Sequence, residues 1–276
     1  MDENLKNAGV MTAIKAAPLV WISGFPGSGK LTVATSIAML HNTAIVFDNH
    51  KLIDPVEAKF PRTHPDYQKE RQLYRKTVLD EYVCNIVAFS RLVIFTDFQS
   101  NNELGQNVAM EYKDAAYRAG RPFIPVYLTC NIDVNLERIT NFGRVNSGTT
   151  KLTDAQVLKD MYSRCELFHF NNCLSLTVDS TNVPPLETAK KILQFLRDNN
   201  GYGYAIMSFV INFKPFLKSQ NQQTLKKGAE ALSDVYALKI LSPGFSRVSR
   251  LEYENAQSDE KEDVVVVFLV ATHLEP

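Results

Sequence analysis

The residues best suited to chemistry form one run, Gly24-Phe25-Pro26-Gly27-Ser28-Gly29-Lys30-Leu31-Thr32. An apolar stretch, Pro18-Leu19-Val20-Trp21-Ile22, precedes it, and a helix-compatible stretch, Val33 to Leu40, follows. Strand, glycine loop and helix in that order are what a Walker A phosphate-binding loop requires. Gly24, Gly27 and Gly29 let the backbone turn so that the N–H groups around Ser28 point into one hollow. The start of the helix adds free N–H groups and a partial positive charge. Lys30 supplies a point charge for the outer phosphates. An ordinary strand-to-helix turn accounts for one glycine, but not for three with a lysine at this spacing. The residue after such a lysine usually brings a hydroxyl for magnesium. Here it is Leu31, which has no ligand atom, and Thr32 stands one place later.

Two carboxylates follow short apolar runs. Asp48 ends Ala44-Ile45-Val46-Phe47, and Asp97 follows Leu92-Val93-Ile94-Phe95-Thr96. Asp48 is placed to orient and deprotonate an acceptor hydroxyl, or simply to cap the following turn. Asn49 and His50 beside it could touch substrate, and His50 could equally be a solvated loop residue. Asp97 has the Walker B pattern, a carboxylate for magnesium or its waters. Its ordinary alternative is a role at the start of the next helix. Arg138 and Arg144 precede a polar stretch, Val145 to Thr150, that ends at Lys151. Arginines there can neutralise transferring charge from a closing lid. They can share a pocket only if the helix ends between them, which Phe142-Gly143 allows; a pairing of Arg138 with Glu137 or Asp133 is the alternative. Arg71 and Arg75, four apart, share a helix face and either grip an anionic acceptor or remain solvated.

The elements that position these residues read as alternating strands and helices. Buried strands are expected at 19–22, 44–47, 92–95, 123–129 and 174–178. Helices are expected after Asp54-Pro55, from His64 through Ile86 and Val87, over Asn102–Ala119 and Asp133–Phe142, from Thr153 or Asp154 to about Phe168, and over Leu186–Leu196. The apolar runs imply an α/β fold, a doubly wound parallel sheet covered on both faces. In such sheets ligands sit beyond the carboxyl ends of the strands. The expected organisation is an N-terminal tail over 1–17, a nucleotide-binding domain over 18–199, and a small α+β appendage over 200–276. In the appendage, strands are expected near 205–213, 238–241, 248–253 and 264–272, with a helix at Thr224–Tyr236. Lys+Arg and Asp+Glu both number 30, so no global field for nucleic acid or a membrane surface is implied. Cys84, Cys130, Cys165 and Cys173 have no metal-ligand spacing and read as small thiols in a reducing compartment. Residues 1–17 lack the pattern of a secretory signal, and no apolar run reaches the ~18 residues of a spanning helix. A cytoplasmic protein is expected.

On these residues, 18 to about 197 resembles the small-molecule kinase branch of P-loop proteins. The run from Gly24 to Thr32 is similar to the adenylate kinase loop, in which the threonine contacts the inner phosphates and magnesium is held largely through water. Thr32 would take that place. The Asp48 position and the late lid resemble shikimate, gluconate and adenylylsulfate kinases. Asp179-Ser180-Thr181 is similar to the segment that lies against the adenine ring in that group. Asn49-His50 is similar to a pair in uncharacterised shikimate-kinase-like ATPases. The glycine cluster of shikimate kinases at the third strand is replaced by Thr96-Asp97-Phe98. The resemblance implies ATP and magnesium as cofactors and transfer of the γ-phosphoryl group to a small-molecule acceptor. A regulatory ATP-binding protein or slow ATPase, with a protein partner at 200–276, is the alternative. A nucleic-acid 5′-kinase is disfavoured by the balanced charge.

Overall fold

The computed structural model describes residues 12–146, 150–199, 205–211, 248–257 and 263–271. They form two units. One spans 17–199; the other holds 12–16 with the described residues beyond 204.

In chain order, β1 is Thr12–Lys15 and β2 is Leu19–Ser23. The larger unit continues with α1 (Lys30–Leu40), β3 (Ile45–Asp48), α2 (Asn49–Glu57), α3 (Tyr67–Leu79), β4 (Val93–Asp97) and α4 (Glu103–Arg118). It closes with β5 (Phe123–Thr129), α5 (Ile132–Thr140), α6 (Phe142–Val145), α7 (Ala155–Arg164), β6 (Leu176–Asp179) and α8 (Pro185–Asp198). Its five strands are all parallel, in the order β3-β4-β2-β5-β6. Chain order reverses at β2, which places the ligand crevice beyond its carboxyl end.

β2 is apolar from Leu19 to Ile22 because both of its faces are covered. Val20 and Ile22 pack with Ile94, Val126 and Leu128 against Val33, Ala34 and Ile37 of α1 and Ala189 and Ile192 of α8. On the opposite face Trp21 meets Tyr112, Tyr127 and Phe170 at 6.2, 6.4 and 5.7 Å between ring centroids. The parallel register sets Ser23 beside Asp97 and Asp48 beside Thr96. The ends of β2, β3 and β4 thus open at one level.

Several boundaries differ from the sequence reading. α2 starts at Asn49, so Pro55 lies inside the helix rather than at its first position. Asp48 caps first, accepting from the His50 N–H at 3.4 Å, and Asp54 accepts from Thr150 Oγ1 instead. The helix expected through Ile86 ends as α3 at Leu79, then becomes a π turn at Asp80–Cys84 and a 3-10 turn at Ile86–Ala88. The cause lies at Arg121. Its buried guanidinium donates to the carbonyls of Val83 (2.8 Å), Ala88 (2.6 Å), Arg91 (3.0 Å) and Ala17 (2.8 Å), which an ordinary helix would partly use itself. Burial pushes this guanidinium down to about 10. Arg121→Lys keeps the charge and loses the planar fork, and should cost about 2 kcal/mol, read as a fall in melting temperature. α7 stops at Arg164 rather than near Phe168, because Leu167 bridges Ser100 and the Phe168 N–H donates to Gln99 O at 2.9 Å. Tyr82 packs on Phe47 and Phe89 lies under Arg121, but Tyr74 is exposed.

Part of the tail expected over 1–17 belongs to the second unit. Thr12–Lys15 is a strand, paired antiparallel with β7 (Ala205–Ile211). The sheet runs β1-β7-β9-β8, with β8 at Val248–Gln257 and β9 at Asp263–Ala271. Four residues are too short for a readable alternation, and their partner is remote in sequence. The described part of the appendage is therefore antiparallel β. The helix expected at 224–236 and the strand at 238–241 fall outside the described residues. No disulfide links the cysteines, which are half-buried. No helix among the described residues is long and apolar enough to cross a membrane.

Candidate active site

The loop after β2 is shaped by close approach. A Cβ on Gly24 would stand 2.5 Å from Leu128 O of β5, and one on Gly27 would stand 2.6 Å from Ile139 Cγ2. Gly29 adopts φ +88° at the N-cap of α1 and faces open space. No side chain caps α1, and its first helical bond is Val33 N to Gly29 O at 2.9 Å. The N–H groups of Lys30, Leu31 and Thr32 therefore have no intrahelical acceptor. Lys30 Nζ donates to Gly24 O (2.6 Å) and Phe25 O (2.9 Å), with no carboxylate in contact. Burial pushes its ammonium down to about 8, against the pull of Asp97 and Asp48; Arg144 adds to the fall. A cradle of glycines, uncapped amides and a lysine held by carbonyls alone fits a polyphosphate.

Asp97 is fully buried at the end of β4. It accepts from Asn49 Nδ2 (2.6 Å), Phe98 N (2.8 Å) and Gln99 Nε2 (2.7 Å). Burial raises its carboxyl above the usual range, while Gln99, Arg75, Phe98 and Arg71 work against that rise. With both oxygens already hydrogen-bonded, Asp97 suits water around a cation better than direct ligation. Thr32 is exposed at the mouth, and no cluster of three His, Cys, Asp or Glu residues could hold a metal among the described residues. The donor set would suit a hydrated cation rather than a directly ligated one: Asp97 would face it through water, and Thr32 stands at the rim.

Asp48 Oδ2 lies 3.3 Å from Lys151 Nζ. His50 Nδ1 is 2.9 Å from Thr150 Oγ1, and burial pushes the imidazole down against Asp48 and Asp54. These contacts bring 150–151 over the end of β3. Residues 147–149, the middle of the expected lid, fall outside the described residues. A cleft of about 530 Å³ joins Gly27, Gly29, Lys30, Asp48, Asp97 and Arg144. Leu31 lines this cleft and does not belong to the core under α1.

α5 ends at Thr140, and Asn141 caps α6 through Gly143 N at 3.0 Å. The break lets Arg138 and Arg144 line one hollow of about 330 Å³ with Gly27, Ser28, Thr32, Ser180 and Val183. Arg138 Nη2 donates to Ser180 O (2.9 Å) and Thr181 O (3.0 Å), rather than to Glu137 or Asp133. Arg144 Nε donates to Leu152 O at 2.9 Å, and burial pushes its guanidinium down. Asp179 is expected, from the resemblance, to lie against the adenine ring. It is exposed, lines neither hollow, and accepts from the N–H and hydroxyl of Thr181. Its neighbour Ser180 faces inward, donating to Ser28 O and Thr129 O at 2.9 Å. Arg75 lines the cleft, but its charge is already taken up. It forms a two-point pair with Glu111 at 2.7 and 2.8 Å, with 3% of its side chain exposed.

Sequence reasoning missed Arg62 and Gln68, which line the cleft, and the pairing of Lys151 with Asp48. No local pattern marks them. It also missed the bond from Asn49 to Asp97, because strand-end neighbours cannot be matched without the register.

A five-stranded parallel sheet in this order, with this loop at its reversal point, decides the fold. It is P-loop kinase-like.

No protein-family model and no curated protein sequence matches the chain. Similar solved structures include a sugar kinase from Janibacter sp. HTCC2649, at 15% identity and TM-score 0.45, covering 67% of this chain and 97% of that one. The APS kinase of Mycobacterium tuberculosis, in complex with AMPPNP and APS, is 17% identical with TM-score 0.43, covering 67% and 99%. Shikimate kinase from Acinetobacter baumannii, in complex with shikimate, is 20% identical with TM-score 0.40, covering 67% and 96%.

Proposed function

We propose that the protein transfers the γ-phosphoryl group of ATP to a small-molecule acceptor. The observation that carries this reading is the opening of Lys30, Asp97, Asp48 and Arg144 into one cleft. The phosphates lie on the loop amides and Lys30, and the adenine lies toward Ser180 and Arg138. Magnesium, when bound, offsets phosphate charge; Asp97 orders its water shell. Asp48 faces the acceptor, accepts the proton of its hydroxyl, and is released from Lys151 as the acceptor enters. Arg144 neutralises charge on the transferring group. Turnover of ATP with and without a pool of small metabolites tests the proposal: acceptor-dependent consumption supports it.

A second reading is a regulatory ATP-binding protein or slow ATPase. It is favoured by Leu31 in place of a hydroxyl and by the engaged carboxylates of Asp48 and Asp97. Tight ATP binding without acceptor-dependent turnover would select it.

Leu31→Ser bears on the metal. It adds a hydroxyl beside the phosphates without opening the core. The magnesium concentration for half-maximal activity should fall roughly two- to tenfold, the worth of one added hydrogen bond or ligand contact. An unchanged value in the folded variant would remove Leu31 from the metal's surroundings.

A further inference from the structure

We infer that Tyr162 of α7 is a positioning residue for the nucleotide, holding the phosphate loop in shape through its ring stack on Phe25. This rests on the nucleotide side of the phosphotransfer reading, the binding of phosphates by the loop from Gly24 to Thr32, and adds a residue that acts on that loop from outside. Neither Tyr162 nor Phe25 lines the cleft or the smaller hollow. Their rings lie with centroids 4.1 Å apart and planes 14° apart. Phe98, next to Asp97, meets Phe25 at 5.0 Å. Three rings thus join the helix after the expected lid, the phosphate loop and the end of β4.

Phe25 sets the geometry of the loop through its carbonyl. That oxygen accepts from Lys30 Nζ at 2.9 Å, so a shift of Phe25 moves the lysine that meets the phosphates. It also accepts from the Ser28 N–H at 3.1 Å, which fixes the turn into the uncapped start of α1. The Phe25 side chain is apolar, so only packing can anchor it, and offset rings are a favoured packing. Tyr162 is itself held from α5. Asn135 Nδ2 donates to Tyr162 Oη at 2.9 Å, and Tyr162 Oη lies 3.5 Å from Cys130 O. Asn135 is fully buried, and its Oδ1 has no hydrogen-bond donor among the described residues. A buried amide with one end unpaired costs stability, which a leucine of similar size would avoid. What the amide does in return is fix the ring of Tyr162. The same Oδ1 stands against Gly27, where a Cβ would lie 2.7 Å from it. α5 and α7 therefore press on the loop at two points, Gly27 and Phe25.

The test is calorimetry with AMPPNP on the full chain, for the parent, Tyr162→Phe, Tyr162→Leu, Phe25→Leu and the double variant Phe25→Leu/Tyr162→Leu. Tyr162→Leu should weaken AMPPNP roughly three- to tenfold, the worth of an aromatic pair. Tyr162→Phe keeps the ring and should stay within about twofold of the parent. Phe25→Leu should lose about as much as Tyr162→Leu, and the double variant no more than the larger single loss, since both changes remove one stack. Melting temperature controls for folding. A packing role alone predicts earlier melting with parent affinity in the folded molecules, and that result overturns the proposal. So do a Tyr162→Phe variant as weak as Tyr162→Leu, which would make the hydroxyl the acting group, and additive losses in the double variant. If Tyr162→Leu does not fold, Phe25→Leu is compared with Tyr162→Phe: loss in the first with affinity kept in the second supports the proposal, and any other pattern overturns it. A parent that binds no AMPPNP overturns it together with the nucleotide site, whereas AMPPNP binding without acceptor-dependent turnover sinks the phosphotransfer reading alone.

Discussion

Asp48→Asn should lower acceptor-dependent turnover by roughly 10²–10⁴-fold, the range for a positioned base. Asparagine keeps the size and an oxygen that can still receive the His50 N–H, but it cannot take a proton. ATP affinity should hardly change, because Lys30 and the loop amides supply it. The ion pair with Lys151 gives the experiment a second edge. If Asp48 serves only to cap α2 and tether Lys151, the variant melts earlier but each folded molecule turns over at the parent rate. That outcome refutes the base assignment. Loss of nucleotide affinity together with turnover would move Asp48 onto the metal or phosphates. A parent without acceptor-dependent turnover would hand the lead to the regulatory reading.

Lys30→Ala should weaken ATP binding by roughly ten- to 150-fold, the equivalent of about 1.5–3 kcal/mol for a charge-assisted contact. Unchanged affinity by calorimetry would sink the phosphate-site assignment. The lowered Lys30 adds a pH signature. Its native value is about 8 against an ordinary 10.5. Between these values the unfolded chain binds the extra proton, so native stability rises as pH rises through that window. ATP affinity should move the other way. Above about pH 8 the free protein must take up a proton to present an ammonium to the phosphates, so affinity falls by up to about tenfold per pH unit. Proton uptake on binding, measured in buffers of different ionisation enthalpy, should disappear in Lys30→Ala. Persistence of the same uptake in that variant would assign the titration elsewhere.

The sequence was most legible where chemistry is local. The loop from Gly24 to Thr32 writes its function in adjacent residues, and the strands at 19–23 and 93–97 announce themselves through the apolar runs Leu19–Ile22 and Leu92–Phe95. Asp97 could be placed because it directly follows such a run. Where the sequence misled, a tertiary partner decided between competing local signals. Asp54-Pro55 looks like a helix start, yet Asp48 caps first. Arg75 lines the cleft as its spacing suggests, yet Glu111, distant in sequence, takes up its charge. Arg121 shows no pattern at all, and still redirects the chain at Asp80–Cys84. Asp179 keeps its carboxylate for Thr181, while the less conspicuous Ser180 turns inward.

The pairing of β1 with β7 has a consequence for biosynthesis. Lys15 is matched to Ala205, so roughly 190 residues must be translated between two neighbours in one ladder. At ~5–20 residues per second this takes roughly 10–40 s. Until β7 is made the β1 segment has no partner, and by then every strand of the parallel sheet has been translated. The larger unit can therefore complete its own folding before the second sheet has its components. A nascent chain cut short of 205 would carry 12–15 as an unmatched strand, and a chain missing 12–15 would bare the backbone N–H and C=O groups along the outer side of β7. Either product presents an open ladder for another chain to join.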